Sequence, residues 1–346
     1  MEIYFTAVGI ILLGALLQSS SYVPLSMVRD WSWESFSFIR GIIIYMVCPM
    51  WAAVHLALPS GYLFYEMFDE IPIFQLVATI AAGLVWGATE LMYERSMFYL
   101  GASRGKALSS LMTALFGMVL AVLVMHTFFY HKYPEWELSA SAVAGTLIAF
   151  AGYFFLGQAG DRKNKEIQSS QDADRRQFDW KRGLIFALSG GIMGACLNVA
   201  MVTGDGIFLP ETIVAYRWLP ALFLFCIGAF ISNTVICIVQ NIRNDSFYEY
   251  SQPEVWKMNL LLCVVTGLTE FAALFGFTVG RALFKETALS IYAFVIFLVC
   301  QTFCSHLWEM IVGEWQGISR TTRRYLGIAA VLLVLSIIVP VIWMLV

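Results

Sequence analysis

The chain has little charge: Asp, Glu, Lys and Arg together make 13% of its 346 residues, where soluble domains carry roughly 25%. That excludes a globular domain dressed in water. Histidine is scarce, at four residues; His55, His126 and His131 fall near the ends of apolar runs, and His306 with Glu309 lies near a helix end, where water is expected to reach both. No histidine is therefore read as a proton relay. No CxxC pair occurs, and the seven cysteines all fall in apolar runs, where they behave as small hydrophobes. No phosphate-cradling glycine loop, nucleophile elbow or metal-ligand spacing is present. An enzyme is not expected, nor are a metal, a cofactor or a nucleic-acid partner.

What the chain has in abundance is apolar length. Hydrophobic residues make 60% of it, and the mean hydropathy is +0.74. Runs long enough to span a bilayer, roughly 17 to 25 residues each, recur near 3–27, 36–58, 73–100, 105–130, 139–158, 183–203, 212–240, 257–280, 287–312 and 325–346. The runs lack the alternation of a barrel, and backbone amides cannot stay unpaired in hydrocarbon, so an all-α bundle of ten transmembrane helices is predicted. The first run has no basic leader and no small-residue cleavage site, and is read as a retained helix.

Lys and Arg favour cytoplasmic loops. The loops after helices one, three, five, seven and nine hold Arg29; Arg104 and Lys106; the run from Arg162 to Arg182; Arg243 and Lys257; and Arg320, Arg323 and Arg324. The opposite loops hold only Lys132, Arg281 and Lys285. Both termini are therefore expected outside. The polar stretch from 159 to 182, of mixed charge and with little to bury, reads as a cytoplasmic linker between halves 1–158 and 183–346.

The halves resemble each other. A shift of 180 positions takes Gly87-Ala88-Thr89-Glu90 onto Gly267-Leu268-Thr269-Glu270, and one of 177 takes Glu34 and Arg40 onto Glu211 and Arg217. Two repeats of five helices must run through the membrane in opposite senses, the inverted repeat of many secondary transporters. Buried ionised groups pair with one another, so Arg40 is expected near Glu90 and Arg217 near Glu270, either as structural locks or as part of transport. In "GATELMYERS", residues 87 to 96, Glu90 and Glu94 share a helix face with Arg95 round the side. Crowded carboxylates favour the uptake of a proton by one of them, which makes Glu90, Glu270 and Glu94 the candidates for proton coupling. Glu34 and Glu211 lie in first helical turns, where an acid complements exposed amides.

Neutral polar groups interrupt the first and sixth helices at "LLQSSSYVP" and "GACLNVAMVTG". Gln18, Ser21, Tyr22 and Asn198, with stacking faces from Trp86 and Tyr93, suit a small neutral sugar: each hydroxyl can donate and accept while an apolar ring face lies on an aromatic.

Trp31-Ser32-Trp33-Glu34, Gly41 through Pro49, Trp86-Gly87, Tyr99-Leu100-Gly101 with Ser103 and Gly105, Ala159-Gly160, Lys181-Arg182-Gly183-Leu184 and Glu314-Trp315 follow one another along the chain. In these stretches the sequence resembles the bacterial L-rhamnose/proton symporter family of the drug/metabolite transporter superfamily. The resemblance implies ten helices in two inverted five-helix repeats, an inner membrane with both termini periplasmic, and proton-driven uptake of a 6-deoxyhexose. An exporter of the same superfamily and a sugar sensor that does not translocate are the competing readings.

Overall fold

The computed structural model describes residues 2–21, 23–24, 27–57, 68, 71–129, 140–168, 179–204, 218–284, 289–313 and 315–343. All regular structure among them is helical: α1 (Glu2–Ser20), α2 (Trp33–Ile42, prolonged through Ile43–Val47, Cys48–Ala52 and Ala53–Ala57), α3 (Ile73–Trp86), α4 (Thr89–Leu100), α5 (Ala102–Phe129), α6 (Ala140–Gln168), α7 (Trp180–Thr203), α8 (Leu219–Asn244), α9 (Pro253–Leu283), α10 (Leu289–Val312) and α11 (Arg320–Trp343). Taking α3 with α4 as one span, 10 segments are long and apolar enough to cross a membrane. Large apolar side chains such as Ile73, Ile311 and Leu147 are exposed along them, as a lipid-facing surface requires.

Three expected boundaries move. The fifth span does not stop at 158 but runs on to Gln168. Its added turns have work to do: Arg162 lies 4.7 Å from the Tyr325 ring and Lys163 4.5 Å from the Trp315 ring. Glu166 accepts from the Ser319 N–H at 2.8 Å and from the hydroxyls of Ser319 and Thr322 at 2.7 Å each, capping the orphan amides where α11 begins. Those hydrogen bonds from Ser319 and Thr322 hold the Glu166 carboxyl below the usual range. The eighth span, expected at 257–280, is longer at Pro253–Leu283 and takes in Arg281, which the loop count had placed in water; Arg281 is only 3% exposed and lies 5.1 Å from the Trp218 ring. The third span breaks at Gly87 and Ala88, so α4 starts afresh with Glu90 in its first turn, where an acid complements the free amides.

The chain folds as two compact units, each drawing helices from both sequence halves. One comprises Thr6–Ala88 and Cys196–Lys285; the other comprises Met1–Phe5, Thr89–Ala195 and Glu286–Val346. The chain passes from one to the other at Ala88, inside the break of the third span.

In the first unit α3 packs on α8 through small residues. A Cβ on Gly83 would stand 2.1 Å from the Phe225 carbonyl oxygen, and one on Gly228 would stand 2.0 Å from that of Ile80. Small residues let helix backbones approach this closely. In α2, Pro49 brings no N–H to the ladder; just before it the helix widens, and the Cys48 N–H donates to the carbonyl of Ile43, a shift often met where the regular ladder is interrupted.

In the second unit α6 packs along α11 and α10 lies against α5. Pro340, inside α11, leaves the carbonyl four residues earlier without its helical partner. That carbonyl belongs to Ser336, and the Tyr292 hydroxyl of α10 donates to it at 2.6 Å. Tyr292→Phe should therefore lower stability by about 1–3 kcal/mol, the cost of an unsatisfied buried acceptor. Thermal unfolding of the purified variant checks this, and an unchanged midpoint would mean that the carbonyl finds another donor.

Candidate functional site

The first unit holds a buried ion pair. Arg40 points inward from α2, 3% exposed, and its Nη1 lies 3.3 Å from Glu270 Oε1 on α9, a carboxylate whose side chain is 10% exposed. The expected arrangement set Arg40 against Glu90; the partner observed in this unit is Glu270, from the other half of the sequence. Arg217, the partner expected for Glu270, lies outside the described residues, as does Glu211.

Elements from three helices hold the pair. Arg40 Nη2 donates to Ser37 Oγ at 3.4 Å, and the guanidinium lies 5.8 Å from the Phe36 ring. Asn233 of α8 donates to the Ser37 carbonyl at 3.2 Å. Gly41 makes room for that amide: a Cβ there would stand 2.1 Å from Asn233 Nδ2. Gly267 does the same between α9 and α2, where a Cβ would meet Ile43 at 2.7 Å and the Arg40 carbonyl at 3.3 Å. Thr266, one turn before Glu270 and so on its face, is buried, and its hydroxyl has no hydrogen-bond partner among the described residues. Asn233 and Thr266 were not picked out from the sequence; a lone amide or hydroxyl in an apolar run is the only signal they give.

Aromatics follow on the same helix. Tyr45, five residues after Arg40, is buried edge-on to Trp86, with centroids 5.8 Å apart, and Trp86 tilts against Phe225 at 5.2 Å. Trp86 is half-buried. Among the other candidates in this unit, Gln18 is half-buried and Asn198 fully buried. The Ser21 hydroxyl donates to the Gln18 carbonyl at 2.7 Å, and Ser19 and Ser20 likewise bond carbonyls one turn back. Such local bonds use up donors the sequence had offered to a ligand. Tyr22 lies outside the described residues.

The remaining candidates fall in the second unit, on α4. Glu90 and Glu94 are half-buried, whereas Arg95 is exposed. Tyr93 bonds the Thr113 hydroxyl of α5. Its ring lies against Gly190 and Gly194 of α7, where added Cβ atoms would stand 2.7 Å from the ring and 2.8 Å from its hydroxyl. Tyr93 thus acts in helix packing.

The same unit contains a cluster that the sequence reading set in water. His306 and Glu309 have side chains only 7% and 13% exposed. The reason is that α10 runs on past them and Trp315 folds back, donating to Glu309 at 3.0 Å. Lys106, which begins the fourth span, completes it at 3.5 Å from Glu309.

Contacts within each unit bring the cation-rich loops together. Arg104 bonds Asp161 at 2.9 Å, joining the start of span four to the end of span five, and Glu166 joins spans five and ten. In the first unit the Asn259 side chain donates to the Arg29 carbonyl at 2.7 Å and accepts from its N–H at 3.3 Å, joining the loop after α1 to the start of α9.

Ten apolar spans, with an arginine and a glutamate paired inside them, define a multi-pass α-helical membrane protein with an ionic centre. Comparison of sequences sharpens this: the family described as L-rhamnose-proton symport protein (RhaT) matches residues 3–345, and the chain belongs to that family of membrane transporters. It is similar to the L-rhamnose-proton symporters of Salmonella gallinarum (strain 287/91 / NCTC 13346) and Escherichia coli O1:K1 / APEC, each 23% identical over 337 residues that cover 94% of both chains.

Proposed function

We propose that the chain is a proton-coupled carrier that imports L-rhamnose or a related 6-deoxyhexose by alternating access across a bacterial inner membrane. The observation that carries the coupling is the Arg40–Glu270 pair, in a chain that belongs to a symporter family. A proton on Glu270 cancels the carboxylate and frees the Arg40 donors for sugar hydroxyls, which then take over the hydrogen bonds of the guanidinium that has lost its counterion, so that proton and sugar are bound together. Thr266, Gln18 and Asn198 supply neutral hydrogen-bonding groups, and Trp86 an apolar face. Glu90 and Glu94 on α4 form a second carboxylate group, with Arg95 beside them, and Arg217 is a further counterion for Glu270. The two inverted repeats span residues 1–158 and 183–346, and the stretch 159–182 between them, whose ends continue the flanking helices to Gln168 and from Trp180, lies on the cytoplasmic side.

Counterflow of labelled L-rhamnose in proteoliposomes tests the substrate, and accumulation under an imposed proton gradient tests direction and coupling. An exporter would expel sugar under an inward gradient, and a sensor would show no counterflow.

Glu90→Gln is expected to abolish gradient-driven accumulation while exchange of labelled sugar persists, since exchange needs no net proton release. A glutamine variant that still accumulates sugar would remove Glu90 from the coupling path. For orientation, a single cysteine at Gly317, between spans nine and ten, should react with an impermeant thiol reagent only from the cytoplasmic side, and one at Ser60, between spans two and three, only from the periplasm. The opposite pattern would reverse the topology.

A further inference from the structure

The His306 cluster is separate from the Arg40–Glu270 pair, lies in the other unit, and has no role in the mechanism above. Its geometry assigns the protons. Glu309 Oε1 faces the Lys106 ammonium at 3.5 Å, and Glu309 Oε2 accepts from the Trp315 indole N–H at 3.0 Å while meeting His306 Nδ1 at 2.7 Å. A carboxylate ringed by an ammonium and an indole N–H is held as an acceptor, so Nδ1 must be the donor and carry its hydrogen. In the neutral ring this tautomer leaves the lone pair on the other nitrogen, Nε2, which is the atom that gains a proton in the imidazolium.

Other charges border the cluster. Lys163 of α6 lies over the Trp315 ring at 4.5 Å, and Arg104 is taken by Asp161. Glu166 is engaged at the start of α11. Glu309 is thus the carboxylate directly bonded to the imidazole, and an imidazolium at this position would have its charge balanced there.

We propose that His306 is a proton-carrying residue at the cytoplasmic end of the second unit, taking the transported proton on Nε2 and releasing it to water. In the loading step a hydronium O–H bond breaks, an Nε2–H bond forms and water departs; in the release step the same bond breaks toward a water molecule. Glu309 orients the ring and stabilises the imidazolium, and Lys106 and Trp315 keep Glu309 ionised and in place. The direction of flow rests on the symporter reading above and on the cytoplasmic placement of the loops after spans three, five and nine.

The test uses the full chain in proteoliposomes whose interior stands for the cytoplasm. His306→Gln should drop gradient-driven accumulation of L-rhamnose to the level of vesicles without a gradient while counterflow keeps its wild-type rate. Glu309→Gln, which keeps an acceptor for Nδ1 but removes the charge, should abolish the response of accumulation to interior pH. A purely structural role would lower both activities together with thermal stability, and wild-type accumulation in His306→Gln would overturn the proposal. If wild type itself shows no counterflow with L-rhamnose, the symporter reading fails, and a second measurement on the detergent-solubilised wild type still decides this one. In its 15N-histidine spectrum the His306 signal, assigned by its loss in His306→Gln, should show the Nδ1–H tautomer when neutral and convert to imidazolium on acidification. The opposite tautomer, or a ring that never takes up a proton, would refute the proposal whatever the substrate.

Discussion

Replacing Arg40 with alanine is expected to destabilise the protein by about 3–5 kcal/mol, because it leaves the Glu270 carboxylate buried without its counterion. The pair itself contributes far less than that, since burying both ions cancels much of their attraction. Glu270→Gln removes the need for a counterion, so the double variant Arg40→Ala with Glu270→Gln should recover most of the lost stability without recovering proton-driven uptake. Acidification should narrow the deficit of the single variant, because a protonated Glu270 has no charge to strand. Thermal unfolding of all four proteins completes a double-mutant cycle. A coupling within about 0.5 kcal/mol of zero would mean that the two groups act independently, and the pair would drop out of the coupling mechanism.

The second large effect concerns packing. At Gly83 and Gly228 the atom that an added Cβ would strike is a backbone carbonyl oxygen, at 2.1 and 2.0 Å, and a backbone cannot rotate aside as a side chain can. Overpacking a core ordinarily costs about 1–3 kcal/mol; here α3 and α8 must separate along their length. Gly83→Leu and Gly228→Leu should therefore yield no monodisperse folded protein in detergent, and even Gly83→Ala should sit at or beyond the upper end of that range. Gly9→Ala is the control: nothing lies within 4 Å of its added Cβ, and removing a glycine from a helix interior favours the helix by roughly 0.5–1 kcal/mol. A Gly83→Leu protein as stable as Gly9→Ala would show that the two helices can part without loss.

The charges in "GATELMYERS" illustrate how far a sequence can be read. Their presence in a membrane span was visible, and so was the likeness to residues 267 to 270. The break at Gly87 and Ala88 was not: a turn inside an apolar run leaves hydropathy unchanged, yet it places Glu90 in the first turn of a new helix, where its charge has a local partner in the helix end. Tyr93 looked like a stacking face and proved to be a packing residue, because the glycines that receive it lie about a hundred positions away on α7.

What the sequence by itself determined was the number, type and approximate limits of the spans; the loop charges support the orientation proposed here. Hydrocarbon forces every backbone amide into a helix, so apolar length alone specifies the element, and that length is a local property of the chain. What only the tertiary structure decided was partnership. Arg40 meets Glu270 across 230 positions, Arg281 leaves its expected loop for the Trp218 ring, and His306 is buried because Trp315 closes over it. Each depends on which helix faces meet, and that is settled by small residues at crossing points such as Gly41 and Gly267, whose effect appears only when a second helix is laid against them.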